Sequence, residues 1–125
     1  MTDTRAVVHA EGAAGRWAGL TLMEQMAHIG SEVERTIRAH ERGREARFER
    51  VLQRALELFD LTAADLRWRG PRRREILRAR EEFCRLFFAD DVPPHLRTGL
   101  QSYFLHFAVA ARSSQRASVA EGQVG

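Results

Sequence analysis

The stretch "LTLMEQMAHIGSEVERTI", Leu20 to Ile37, decides the fold. Met23, Met26, Gly30, Val33 and Ile37 recur in it at spacings of 3, 4, 3 and 4. That period places them on one face of a helix and fits no strand, whose side chains alternate every second residue. Thr21 stands where an N-cap is needed and Glu24 follows three residues later. This is the pattern of a capping box, which satisfies two unpaired N–H groups at a helix start. Gly30 lies on the apolar face, so a partner helix can approach closely there. Such a helix cannot bury its stripe alone, and the rest of the chain has to supply the other walls.

Outward from this segment the sequence predicts three more helices. "HERGRE" follows, with Gly43 suited to a C-terminal cap and turn. The second helix runs from about Arg44 to Leu61, with Phe48, Val51, Leu52, Ala55, Leu58 and Phe59 as its stripe. Glu49, Arg50, Gln53, Arg54 and Glu57 lie on its opposite face, and Gly70-Pro71 breaks any continuation. The third helix begins at Pro71, since a missing N–H costs nothing in a first turn. Ile76, Leu77, Phe83, Cys84 and Phe87 form its inner face, and "FADDVPP" ends it. The fourth starts after Pro93-Pro94, with Leu96, Leu100, Tyr103, Phe107 and Ala110 as its stripe. Phe104, Ala108 and Ala111 widen that stripe, while Leu105 and Val109 carry apolar character to another side. The expected fold is all-α, an antiparallel four-helix bundle over residues 17–112. Residues 1–16 and 113–125 show no sustained period and are expected to be disordered tails. The surplus apolar face of the fourth helix predicts a homo-oligomer.

A chain of 125 residues points to one domain. Its one cysteine, Cys84, excludes an intramolecular disulfide and a cysteine-based zinc site, and Cys84 reads as a core residue. No apolar run approaches the roughly 18 residues needed to span a bilayer, and no leader-like apolar segment opens the chain. A cytoplasmic location without membrane attachment is expected. Glu24 and His28 are spaced i, i+4, no second Glu-x-x-His is present, and His9, His95 and His106 are scattered, so neither a metal nor another cofactor is expected.

Charge is distributed unevenly. "LRWRGPRRREILRAR", Leu66 to Arg80, holds seven arginines and one acid, a local charge of +6. The other 13 arginines and 16 acids leave the rest of the chain at −3, consistent with the net +3. The chain has no lysine at all. Such asymmetry suggests a focused anion-binding surface. Helix N-termini carry partial positive charge and normally attract acids, yet Arg72, Arg73 and Arg74 place cations there. Free N–H groups and guanidinium forks together suit phosphate. The candidate contacts to RNA or DNA are therefore Arg67, Arg69, Arg72, Arg73, Arg74 and Arg78, with Trp68 stacking on a base. The competing reading is a solvated loop whose arginines pair with neighbouring acids; an acidic protein partner is the third. Arg80 falls on the apolar stripe, and a buried guanidinium needs a carboxylate. Glu34 of "GSEVER" is the expected partner in a register-fixing ion pair, with Glu32, Glu81 and Glu82 also available.

The segments "LTLMEQMAHIGSEVERTI" (20–37), "FERVLQRALELFDLT" (48–62), "EILRAREEFCRLFF" (75–88) and "LQSYFLHFAVAAR" (100–112) resemble a family of small, uncharacterised all-helical proteins of bacteria and archaea. That resemblance implies the bundle and no particular activity. In fold and charge the chain also resembles the four-helix accessory proteins of diversity-generating retroelements, which are basic, oligomeric and hold RNA for a reverse transcriptase. The spacing in "RTIRAH" resembles the R-x4-H ribonuclease motif of HEPN domains, small helical proteins of toxin–antitoxin and antiviral systems. It implies Arg35 as charge stabiliser and His40 as acid/base at a scissile phosphate. The leading expectation is a non-enzymatic binding or scaffold module that holds RNA as an accessory to a larger complex. The alternatives are a HEPN-like ribonuclease or toxin–antitoxin component, and an oligomeric protein–protein adaptor.

Overall fold

The computed structural model describes residues 15–124, with side chains through 117. Four long helices follow one another: α1 (Leu22–Glu41), α2 (Glu45–Ala64), α3 (Pro71–Phe88) and α4 (Leu96–Val124). A 3-10 turn, Leu66–Trp68, precedes α3, and a helical turn over 15–18 precedes α1. There is no strand among the described residues. The connections are short, so successive helices run antiparallel. α1 packs against α2 and α4, and α3 closes the bundle against the same two helices.

The helix starts and stops follow local chemistry. Glu24 N–H donates to Thr21 Oγ1 at 3.2 Å, and Thr21 N–H donates to the Glu24 carboxylate at 3.0 Å. This reciprocal box opens α1, and the Thr21 backbone N–H holds the Glu24 carboxyl below its usual range. The chain turns out of α1 at Gly43, whose φ of +65° is open to glycine at little steric cost. Gly70 does the same before α3 at φ +87°, and Pro71 takes the first helical position.

The core draws on every helix. Met26, Ile29, Val33 and Ile37 meet Ala55, Phe59, Ala63, Ile76, Ala79, Phe83, Leu100 and Phe104. Phe59 and Phe83 are wholly buried with ring centroids 5.7 Å apart. Each such ring contributes roughly 1.5–3 kcal/mol by leaving water. The close approach expected at Gly30 is present: a Cβ there would lie 2.8 Å from Phe104 Cβ.

Two details differ from the sequence reading, and a third, Trp17, was not singled out by it. Leu77, expected inside, is 43% exposed. The buried line of α3 runs through Ile76, Ala79 and Phe83, and Leu77 sits about 100° round from Ile76. Trp17, ahead of α1, is buried in the core. The backbone of α4 continues past the expected boundary at Arg112 to Val124, because Gln115, Arg116, Ala117 and Ala120 are good helix formers extending a helix already nucleated. Most of the tail expected over 1–16 lies outside the described residues, as does Gly125. No helix of the described residues is long and apolar enough to cross a membrane.

Candidate nucleic-acid interface

The basic stretch Leu66–Arg80 comprises the 3-10 turn and the first ten residues of α3. It begins at Asp65, which ends α2 and caps the 3-10 turn by accepting from Arg67 N–H at 3.0 Å. The Arg67 guanidinium then forks onto the same carboxylate: Nη2 donates at 2.7 Å to Oδ2 and Nε at 3.0 Å to Oδ1. Nη2 also donates to the Leu20 carbonyl at 2.9 Å, tying the turn to the chain entering α1. The Arg67 hydrogen bonds draw the Asp65 carboxyl down to about 2.

Trp68 belongs to the same knot. Its indole N–H donates to Gln25 Oε1 at 2.8 Å. The Gln25 amide donates in turn to the Trp17 carbonyl at 2.8 Å and to Asp65 at 3.3 Å. Trp17 Nε1 donates to Thr62 Oγ1 at 2.8 Å. An indole N–H can only donate, which fixes the Gln25 oxygen toward Trp68. Gln25 and Thr62 are fully buried, and no buried side-chain polar atom among the described residues lacks a partner. Sequence periodicity did not single out Gln25, because a buried amide leaves no apolar mark.

This geometry gives two of the expected contact residues partners within the protein. Arg67 and Trp68 were expected to meet nucleic acid, but Arg67 is engaged by Asp65 and Leu20. The Trp68 ring is half-buried, with Arg67 lying over it at 4.5 Å. The Arg67 guanidinium thus covers one face of the ring.

Arg69, Arg72, Arg73, Arg74 and Arg78 are exposed and gather over the turn and first two turns of α3. Arg69 Nε reaches the Leu66 carbonyl at 3.3 Å, and Arg78 lies 3.4 Å from Glu82 with its side chain 81% exposed. Arg72, Arg73 and Arg74 have no carboxylate within ion-pair distance among the described residues. No side chain caps the N-terminus of α3, and no acid lies in its first turn. Three cations therefore add to the positive end of the helix dipole, with unpaired N–H groups between them.

Arg80 is also corrected. Its Nε donates to Asp60 Oδ1 at 3.0 Å, on α2, not to Glu34. Glu34 faces α4, where both its oxygens accept from Gln101 Nε2 at 3.0 and 3.2 Å. The position of Arg80 on the α3 stripe brings it to α2, one of its two main packing neighbours, whereas Glu34 sits on the helix diagonally opposite.

Arg35 and His40 do not converge. Arg35 Nη1 donates at 2.7 Å to Glu32, a buried carboxylate that Arg54 also approaches at 3.4 Å. The His40 ring packs between Phe48 and Phe87, at 5.2 and 5.1 Å between centroids. Residues five apart on a helix point about 140° from each other, and each member of this pair is already engaged by its own protein neighbours. Cys84 is half-buried, and burial pushes its thiol up, away from nucleophilic use. No group of three or more metal-ligating side chains assembles among the described residues.

No known protein family, curated protein or solved structure matches this chain.

Proposed function

We propose that this chain is a non-enzymatic helical module that binds nucleic acid, RNA foremost. In this reading Arg69, Arg72, Arg73, Arg74 and Arg78 contact phosphates, and the protein works as a cytoplasmic homo-oligomer accessory to a larger complex. One observation carries the reading: three consecutive exposed arginines, without carboxylate partners among the described residues, stand on an uncapped helix N-terminus. Each cation there costs a few tenths of a kcal/mol against the dipole, a cost that a bound phosphate reverses in sign. Phosphate contacts of this kind give affinity with little sequence choice, and they make it salt-dependent.

The test is binding of structured RNA and of single-stranded DNA by fluorescence anisotropy across a salt series. Arg72→Ala/Arg73→Ala/Arg74→Ala is expected to weaken binding and reduce the slope of log K against log salt by about 2 to 3, at roughly 0.7–0.9 for each phosphate no longer neutralised. An unchanged slope and affinity would remove the nucleic-acid reading, and binding to an acidic protein that survives nuclease treatment would replace it. The reading also expects no RNA cleavage that depends on His40.

A further inference from the structure

We infer that the outward face of α4 pairs two copies of this chain, antiparallel, about a twofold axis near Phe107. The inference rests on the self-association in the reading above and gives it a surface; it does not depend on nucleic-acid binding.

While Leu100, Phe104 and Ala111 face the core, Leu105 and Val109 on the other side of α4 are 59% and 49% exposed. They belong to a line of exposed residues: Thr98, Ser102, Leu105, Val109, Arg112 and Arg116. Its spacings are 4, 3, 4, 3 and 4, the repeat by which two helices keep a seam in register. The line is also nearly self-complementary about its midpoint. In an antiparallel pair, Leu105 of one copy meets Val109 of the other, and Arg112 meets Ser102. A twofold interface requires a surface that complements itself in this way. A parallel pair would instead set Arg112 on Arg112 and Arg116 on Arg116, with like charges facing each other.

Two further features point to a second copy as the occupant. Beside Leu105 runs a groove of about 380 Å³ between α1 and α4. Ala27, Gly30, Ser31 and Ala108 line it, and their small side chains leave room for the second copy's aliphatic residues. At one end of the groove stands Glu34, whose carboxylate receives only the neutral amide of Gln101 and has no cation within ion-pair distance among the described residues. Arg112 is exposed and likewise has no carboxylate partner among them. Antiparallel pairing brings the second copy's Arg112 to Ser102, next to Gln101 and Glu34. The twofold axis makes that pairing twice, once at each end of the apolar centre.

Sedimentation equilibrium of the full chain, over about a hundredfold range of concentration, tests this by mass action. The wild type is expected to reach the mass of two copies. Leu105→Arg is expected to keep its helical circular dichroism and stay at the mass of one copy. Arg112→Glu should weaken pairing about tenfold, since it removes two ion pairs from each dimer. Glu34→Arg/Arg112→Glu should recover most of that loss, which a merely structural role for either residue would not produce. A one-copy mass for the wild type overturns both the inference and the self-association. A two-copy mass unaffected by Leu105→Arg overturns the α4 pairing alone and places self-association on another face. Failure of the charge swap to recover pairing overturns the antiparallel register.

Discussion

The Arg67 guanidinium lies over the Trp68 ring at 4.5 Å while gripping Asp65 at 2.7 Å. The basic stretch therefore divides within a few residues. Arg67, though exposed, holds the turn to α1 through the Leu20 carbonyl, while Arg72, Arg73 and Arg74 have no carboxylate within ion-pair distance among the described residues. This division separates positions that set stability from positions proposed to set binding.

Acid should loosen the Asp65–Arg67 knot. The Arg67 hydrogen bond is the main cause that lowers the Asp65 carboxyl from its ordinary 3.8 to about 2. A carboxyl depressed in the folded state stabilises it fully above 3.8 and loses that contribution as pH falls through 2. Solvent screening of the exposed arginine keeps that contribution small. Urea midpoints measured between neutral pH and pH about 2 should fall for the wild type. Asp65→Asn should start lower and fall less; a parallel decline in both proteins would contradict this.

Gln25→Leu should destabilise the fold by about 1–3 kcal/mol, since it strands the buried Trp68 N–H. The side chain is fully buried and joins Trp17 to Asp65 and Trp68, two segments remote in the chain. Urea unfolding followed by tryptophan fluorescence reads the loss directly. A change below about 0.5 kcal/mol, typical of surface sites, would show that the network is not held in solution.

Glycine substitutions in two helices should act in opposite directions. Gly30→Ala gains about 1 kcal/mol of helix propensity but drives a methyl group to 2.8 Å from Phe104 Cβ. Overpacking of that kind costs roughly 1–3 kcal/mol, so the net effect is a loss. Gly99→Ala meets nothing within 4 Å and should stabilise by about 0.5–1 kcal/mol. Melting temperatures that move the same way for both would refute the close α1–α4 approach.

Tyr103, the chain's one tyrosine, should resist ionisation. Burial, and then the hydrogen bond it donates to Glu75 at 2.7 Å, push its phenol well above its ordinary 10. An acid raised in the folded state keeps a proton that the unfolded chain loses, so stability is full below 10 and declines as pH rises beyond it. Tyrosinate absorbance should titrate near 10 in denaturant and be missing in the folded protein until alkali unfolds it. A native titration coinciding with the denatured one would place Tyr103 in water.

The bundle was legible because its signals are local. The spacing of Met26, Val33 and Ile37, the Thr21/Glu24 box, Gly43 and Pro71 each act within a turn or two of chain. The exposed arginines at the start of α3 were legible for the same reason, since a helix N-terminus follows from Gly70-Pro71 alone. Leu77 was misplaced because the apolar stripe of α3 is wider than the line that meets its neighbours.

Partner choice was decided by packing. Arg80 meets Asp60 and not Glu34 because α3 lies beside α2, and nothing in the order of residues says which acid a stripe arginine will face. Arg67 is engaged locally by Asp65, two residues away, whereas the Trp68 N–H is engaged by Gln25, 43 residues away, only once α1 and the 3-10 turn meet. Chain order determines where helices begin, which side of each is apolar and where charge accumulates, since these depend on neighbours a few residues apart. Only the assembled bundle decides which remote acid an arginine such as Arg80, Arg54 or Arg97 meets, because that depends on distances between segments far apart in the chain.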